Sequence, residues 1–175
     1  MHFKSAGAVA LAIGALLLPT AAMAQDAETP PPVQLGNGEK NWIIVDGIER
    51  SNASTYTEVR ATNDAQALRR GDGVTLTIPE VHIEGDGWLV MHPFVGGKPS
   101  GTYVAGYTFV ESGTNTDVAI TLNPAPASGD MYVVMLHKDA NEDRVFDFVF
   151  VAENVVEDEA VFEGTTMIAH IVAVP

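Results

Sequence analysis

The chain has 175 residues, no cysteine, 23 acidic against 9 basic side chains and a formal net charge of −14. That balance repels phosphate and so excludes nucleic acid and anionic lipid as partners, and the missing thiols exclude disulfides and thiolate chemistry. The length suits one domain with a real core and hardly two.

The first elements in chain order concern export. Lys4 supplies a positive start, Ala8 to Leu18 is an apolar run, Pro19 ends it, and Ala22-Met23-Ala24 has the small-x-small form that a signal peptidase reads. The run is shorter than the roughly 20 residues a permanent span needs. Residues 1–24 are therefore expected to be a signal peptide, leaving a secreted or periplasmic chain from Gln25 with no membrane insertion after cleavage. Residues 25–40 read as a disordered linker, with Pro30-Pro31-Pro32 extended and Gly36-Asn37-Gly38 turning.

Residues 41–175 read as a single folded domain. Trp42 to Val45 and Tyr56 to Arg60 suit strands. One short helix is expected next: Asn63 as N-cap with Gln66 three residues on, Arg69-Arg70 at the negative end and Gly71 to stop it. From Gly73 onward the pattern is that of strands, namely 74–78, 81–84, 88–94, 103–110, 118–122, 131–137, 145–152 and 166–174. Clusters such as Gly96-Gly97, Glu111-Ser112-Gly113 and Ser128-Gly129-Asp130 separate them. Many short strands at regular spacing predict an all-β, antiparallel β-sandwich, immunoglobulin-like or cupredoxin-like.

Two residue groups carry chemistry. Asp139, Asn141, Asp143 and Asp147 stand at relative positions 1, 3, 5 and 9 of one loop, with the Val145 carbonyl at position 7. Calcium takes six to eight oxygens, and this spacing is that of oxygen-ligand loops. The loop departs from EF-hands, with Arg144 where Gly stands at position 6 and Phe150 where a bidentate Glu closes the shell. A plain turn, with Asp and Asn oxygens capping backbone N–H groups, is the competing reading.

The second group mixes imidazole and thioether, a copper-like ligand set. His92, His137 and Met135 are its candidates. Alternation puts Met135 and His137 on one face, but Met91 and His92 on opposite faces; His82 belongs to a polar face, and His170 points away from Met167. Core methionines and ordinary strand histidines at strand ends, bonding a carbonyl or carboxylate, compete with the copper reading. Gly-x-Ser-x-Gly, His-Glu-x-x-His, a phosphate loop and a Cys nucleophile are all missing, so no enzyme is expected.

Several stretches resemble an uncharacterised domain family common in exported and surface proteins of haloarchaea and also found in bacteria. They are 87–92 (Gly-Trp-Leu-Val-Met-His), 104–113, 118–122 and 134–141 (Val-Met-Leu-His-Lys-Asp-Ala-Asn), with the exit Phe146-Asp147-Phe148. His137, Asp139, Asn141, Asp143, Phe146, Asp147 and Phe148 match its spacing over a family-like part at 73–175, whereas 154–164 departs from it. The resemblance implies a secreted β-rich module without catalytic activity, often joined to other surface domains. The functional expectation is a structural or interaction module facing an unknown protein or surface partner, stabilised by calcium in the acidic loop. The alternative is a cupredoxin-like copper-handling protein.

Overall fold

The computed structural model describes residues 31–53, 57–61, 65–69, 73–148 and 158–175. The expected signal peptide and the first residues of the expected linker lie outside them.

The frame is set by β6 (Gly73–Ile83), whose Val74, Leu76 and Ile78 turn inward while Thr75 and Thr77 stay half-buried. After Pro79, which has no N–H to give a ladder, the inward set shifts to Val81 and Ile83. On one side β6 pairs with β10 (Gly113–Leu122); on the other it pairs with β2 (Trp42–Ile44) and β3 (Glu49–Ala53) at different heights. These four strands are one layer.

The second layer is seven-stranded. Its path runs β1 (Gln34–Gly36), β13 (Thr166–Ala173), β11 (Met131–Lys138), β7 (Gly87–Val95), β8 (Lys98–Pro99). Two more strands join it: β9 (Gly106–Val110) on β7, and β12 (Phe162–Glu163) on β13. The β7–β11 register places His137 opposite Trp88, Met135 opposite Val90 and Val133 opposite His92. Gly87 is required at the start of β7, since a Cβ there would stand 2.3 Å from the His137 carbonyl oxygen.

Both faces of the layer's middle strands, β7 and β11, are buried over 87–92 and 132–137. One face presents Leu89, Met91, Val134, Leu136, Ile168 and Val172 to the inward side chains of β6 and β10. On the other face Trp88, Val90, Val133, Met135 and Ala169 lie under Phe146 and Phe148. This double burial is why β7 and β11 read as unbroken apolar runs and not as alternating ones. The architecture is the expected all-β sandwich, antiparallel except for β1, which pairs with β13 in parallel.

Three expectations need correction. The expected helix is a strand: β5 (Ala65–Arg69) pairs with β4 (Thr57–Ala61), because a cap signal of two turns yields to a neighbour that completes a ladder. The end of the expected linker is structural, since Gln34–Gly36 forms β1. The Glu163 carboxylate also accepts from the N–H groups of Glu39, Lys40 and Asn41 at 2.8, 3.0 and 2.7 Å. Finally, 145–148 is not strand: Phe146 and Phe148 leave the ladder and cover the second face; the remainder of the expected 145–152 strand lies outside the described residues.

Candidate functional site

The acidic loop follows β11 directly, and its oxygens serve its own backbone. Asp139 Oδ2 accepts the Arg144 N–H at 3.0 Å, Asn141 Oδ1 that of Asp143 at 3.3 Å, and Asp143 Oδ1 that of Val145 at 2.7 Å. Glu142 and Arg144 hold φ of 59° and 57°, a left-handed conformation uncommon for residues with a side chain. So Arg144 takes, at position 6, the turn that glycine takes in calcium loops. The Arg144 guanidinium leans away, 3.3 Å from Asp86 Oδ2 and over the Phe109 ring. Among the described residues, no three His, Asp or Glu side chains share a point that would hold a metal. One oxygen stands out: Asp139 Oδ1 is buried without a hydrogen-bond partner.

Asp158 ties this loop together, and nothing in its spacing had marked it. The residue is wholly buried. Its Oδ1 accepts the Ala140 N–H at 3.2 Å and its Oδ2 the Asp147 N–H at 2.6 Å, so one carboxylate holds both ends of the loop. Burial raises its pKa; the two N–H bonds oppose that rise, and the charges of Asp139 and Asp147 add to it.

The carbonyl of Asp158 reaches the second group. His137 Nδ1–H donates to it at 2.6 Å, and His92 Nδ1–H donates to the Tyr103 carbonyl at 2.8 Å. A carbonyl can only accept, so each Nδ1 carries its ring's proton and each Nε2 keeps a bare lone pair. The two Nε2 atoms face each other at 3.5 Å. Both rings are buried, at 1 % and 2 % exposure. Burial pushes the pKa of His137 down to about 3, opposed by its bond to the Asp158 carbonyl and helped by the neighbouring His92. Burial lowers the pKa of His92 as well. Both imidazoles are thus neutral near pH 7.

Phe148 meets both rings edge-on, at 4.7 Å from His137 and 5.5 Å from His92 between centroids. Phe146 stacks on Phe148 and also meets His137 edge-on. Met135 belongs to the same buried cluster and stands between the two histidines along the ladder.

The structure brings His92, His137 and Met135 to one face of the seven-stranded layer. Strand parity had already joined Met135 with His137; adding His92 required knowing that β7 lies beside β11. Asp139, Asn141, Asp143, Val145 and Asp147 do share one loop, where Asp139, Asn141 and Asp143 cap backbone N–H groups and Val145 and Asp147 donate theirs to carboxylates. A separate open cleft of about 860 Å³ is lined by Glu84, Asp86, Asp139, Glu142, Lys138, Arg144 and Glu159 among others, and by neither histidine. Its two basic side chains pair with acids, Lys138 with Glu159 and Arg144 with Asp86.

A family described as a domain of unknown function (DUF7282) matches residues 55–173, more than half of the chain. The chain belongs to that family. The match begins upstream of the expected Gly73 boundary and takes in β4 and β5. No curated protein and no solved structure matches the chain.

Proposed function

We propose that this member of the DUF7282 family is an exported, non-catalytic β-sandwich that binds one copper ion between His92 and His137, with Met135 beside them. One observation carries the reading: two imidazole lone pairs, each fixed by a carbonyl on the far side of its ring, point at each other across 3.5 Å. A water bridging them by two hydrogen bonds would hold the nitrogens about 4.5 Å apart. A single ion with bonds of about 2.0–2.1 Å at a tetrahedral angle holds two nitrogens about 3.3–3.4 Å apart. Fixing Nδ1 by a carbonyl is also the usual way a metal-binding histidine is oriented. Export is supported by the Lys4, Ala8–Leu18 and Ala22-Met23-Ala24 pattern. The acidic surface supports an attraction to cations and an unidentified protein or surface partner.

The test is thermal unfolding of the chain from Gln25 in chelator and then with copper. At a hundredfold excess over Kd, binding to the folded state alone adds about 2.7 kcal/mol, a rise of roughly 5–10 °C. An unchanged transition overturns the reading.

A second reading is a module stabilised by calcium through Asp139, Asn141, Asp143, Val145 and Asp147. It has one observation in its favour, the partnerless Asp139 Oδ1. Millimolar calcium added to the same chelated sample tests it: a rise of several degrees supports it, and none removes it.

A further inference from the structure

Resting on the copper reading of the histidine pair, we infer that the ion it takes is univalent, Cu(I), and that the pocket discriminates against Zn(II) and Cu(II). Three features of the site lead there.

The first is ligand number. Zinc in a closed site collects four ligands, and cupric copper prefers a square of nitrogen and oxygen donors. Here two nitrogens face each other, and no third His, Asp or Glu joins them among the described residues. A d¹⁰ univalent ion is satisfied by three donors in a trigonal shell, here the two nitrogens and the Met135 sulfur; bonds of about 2.0–2.1 Å at about 120° hold the nitrogens roughly 3.5–3.6 Å apart. Neither divalent ion is satisfied by so few donors.

The second is charge. Nearby carboxylates are held by the acidic loop: both oxygens of Asp158 accept the N–H groups of Ala140 and Asp147, and Asp139 Oδ2 accepts that of Arg144. Around the rings stand Trp88, Val90, Val133, Met135, Phe146 and Phe148, which are apolar or aromatic. The cost of placing an ion in such a medium grows with the square of its charge. A divalent ion meets four times the penalty of a univalent one, with two neutral nitrogen ligands and, among the described residues, no carboxylate joining them to offset it.

The third is softness. Met135 occupies the ladder position between the histidines on their own face: His137 stands opposite Trp88, Met135 opposite Val90, His92 opposite Val133. A thioether is a soft donor that favours Cu(I) and adds nothing useful for zinc. Phe148, edge-on to both imidazoles, closes the side away from the sheet and keeps water from completing a cupric shell.

The experiment is a set of anaerobic titrations of the chelator-stripped chain with Cu(I), with Ag(I) as a redox-inert substitute, with Zn(II) and with Cu(II). Each is read by competition against a chromophoric chelator of known affinity. One Cu(I) or Ag(I) per chain is expected, held about a hundredfold or more tighter than either divalent ion. Met135→Leu, which conserves volume, should keep the fold and weaken Cu(I) about tenfold to a hundredfold. His92→Gln should abolish tight binding; its melting curve, recorded alongside, separates lost ligation from lost folding. Zinc or cupric copper bound as tightly as Cu(I) overturns the univalent assignment while leaving a metal at the histidine pair. A Met135→Leu variant with unchanged Cu(I) affinity removes the thioether from the account. Failure of every ion to bind overturns the copper reading itself.

Discussion

The acidic loop and the histidine pair are neighbours in sequence, since Asp139 follows His137 by two residues, yet they use their donor atoms in opposite ways. The loop is rich in oxygens and spends several of them on its own turn: Asp139, Asn141 and Asp143, with Asp158 from beyond the loop, each cap backbone N–H groups. The histidines are two rings on adjacent strands, and each spends its proton on a carbonyl and leaves its other nitrogen uncommitted. Ligand-like composition therefore points to the loop, whereas available lone pairs point to the strands. A binding site is defined by what the fold leaves unsatisfied.

That contrast is broken most forcefully at His137. Replacing it with alanine removes a fully buried ring from the covered face and strips the Asp158 carbonyl of its donor. A loss of about 3 kcal/mol is expected in urea unfolding, together with loss of the copper-induced rise in Tm. A variant that keeps both would place the ion elsewhere.

Asp158→Ala comes next, because it leaves the Ala140 and Asp147 N–H groups without acceptors inside the fold. A cost of about 2–3 kcal/mol is expected, with faster amide exchange at 140–147 as the local signature. Wild-type exchange rates there would show that the carboxylate is not what holds the loop.

The pH dependence is smaller and has a definite sign. In the fold His137 titrates near 3 against 6.5 for the free side chain, so the unfolded chain takes up the proton first. The stability this group contributes is complete above pH 6.5 and is lost as pH falls toward 3. His92 is lowered too and acts in the same sense. Asp158, raised by burial, acts the other way: its contribution is complete below its unfolded value of 3.8 and is lost as pH rises through its folded pKa. For the metal-free chain, Tm should fall between pH 7 and pH 5, and Asp158→Asn should steepen that fall. A Tm that rises on acidification would mean that the histidines are not buried neutral.

The smallest effect is expected at the loop's rim. Asp143 is exposed, and Asp143→Asn keeps an acceptor for the Val145 N–H, so a change within about 0.5 kcal/mol is expected. A larger loss, restored by calcium, would transfer the functional weight to the loop.

Much of the fold was legible because side-chain alternation is a local signal. Val74 to Ile78 reads directly as a half-buried strand, and the strand ends at Val110, Leu122 and His137 fall within a residue of those observed. What was illegible depended on partners far along the chain. Asn63 and Gln66 look like a helix start, but residues 65–69 have a strand beside them. Gln34 to Lys40 looks like the end of a tether until Glu163 and β13 are brought to it. The site divides in the same way. Met135 and His137 share a face by parity alone, and His at a strand end suggested a carbonyl bond, which both histidines make. The meeting of His92 with His137 rests on the β7–β11 pairing, and Asp158 stands too far along the chain for spacing to reveal it. Phe146 and Phe148 were visible only as part of a resembling motif; their role as a cover follows from β7 and β11 being buried on both faces.

The claim beneath all of this is the protonation pattern of two rings. Long-range ¹H–¹⁵N correlation of the imidazoles in the metal-free protein at pH 7 reads it directly. The account predicts that His92 and His137 both carry their proton on Nδ1, with both Nε2 resonances in the unprotonated range and both moving on addition of Ag(I). A proton found on either Nε2, joining the rings by an ordinary hydrogen bond, would contradict it.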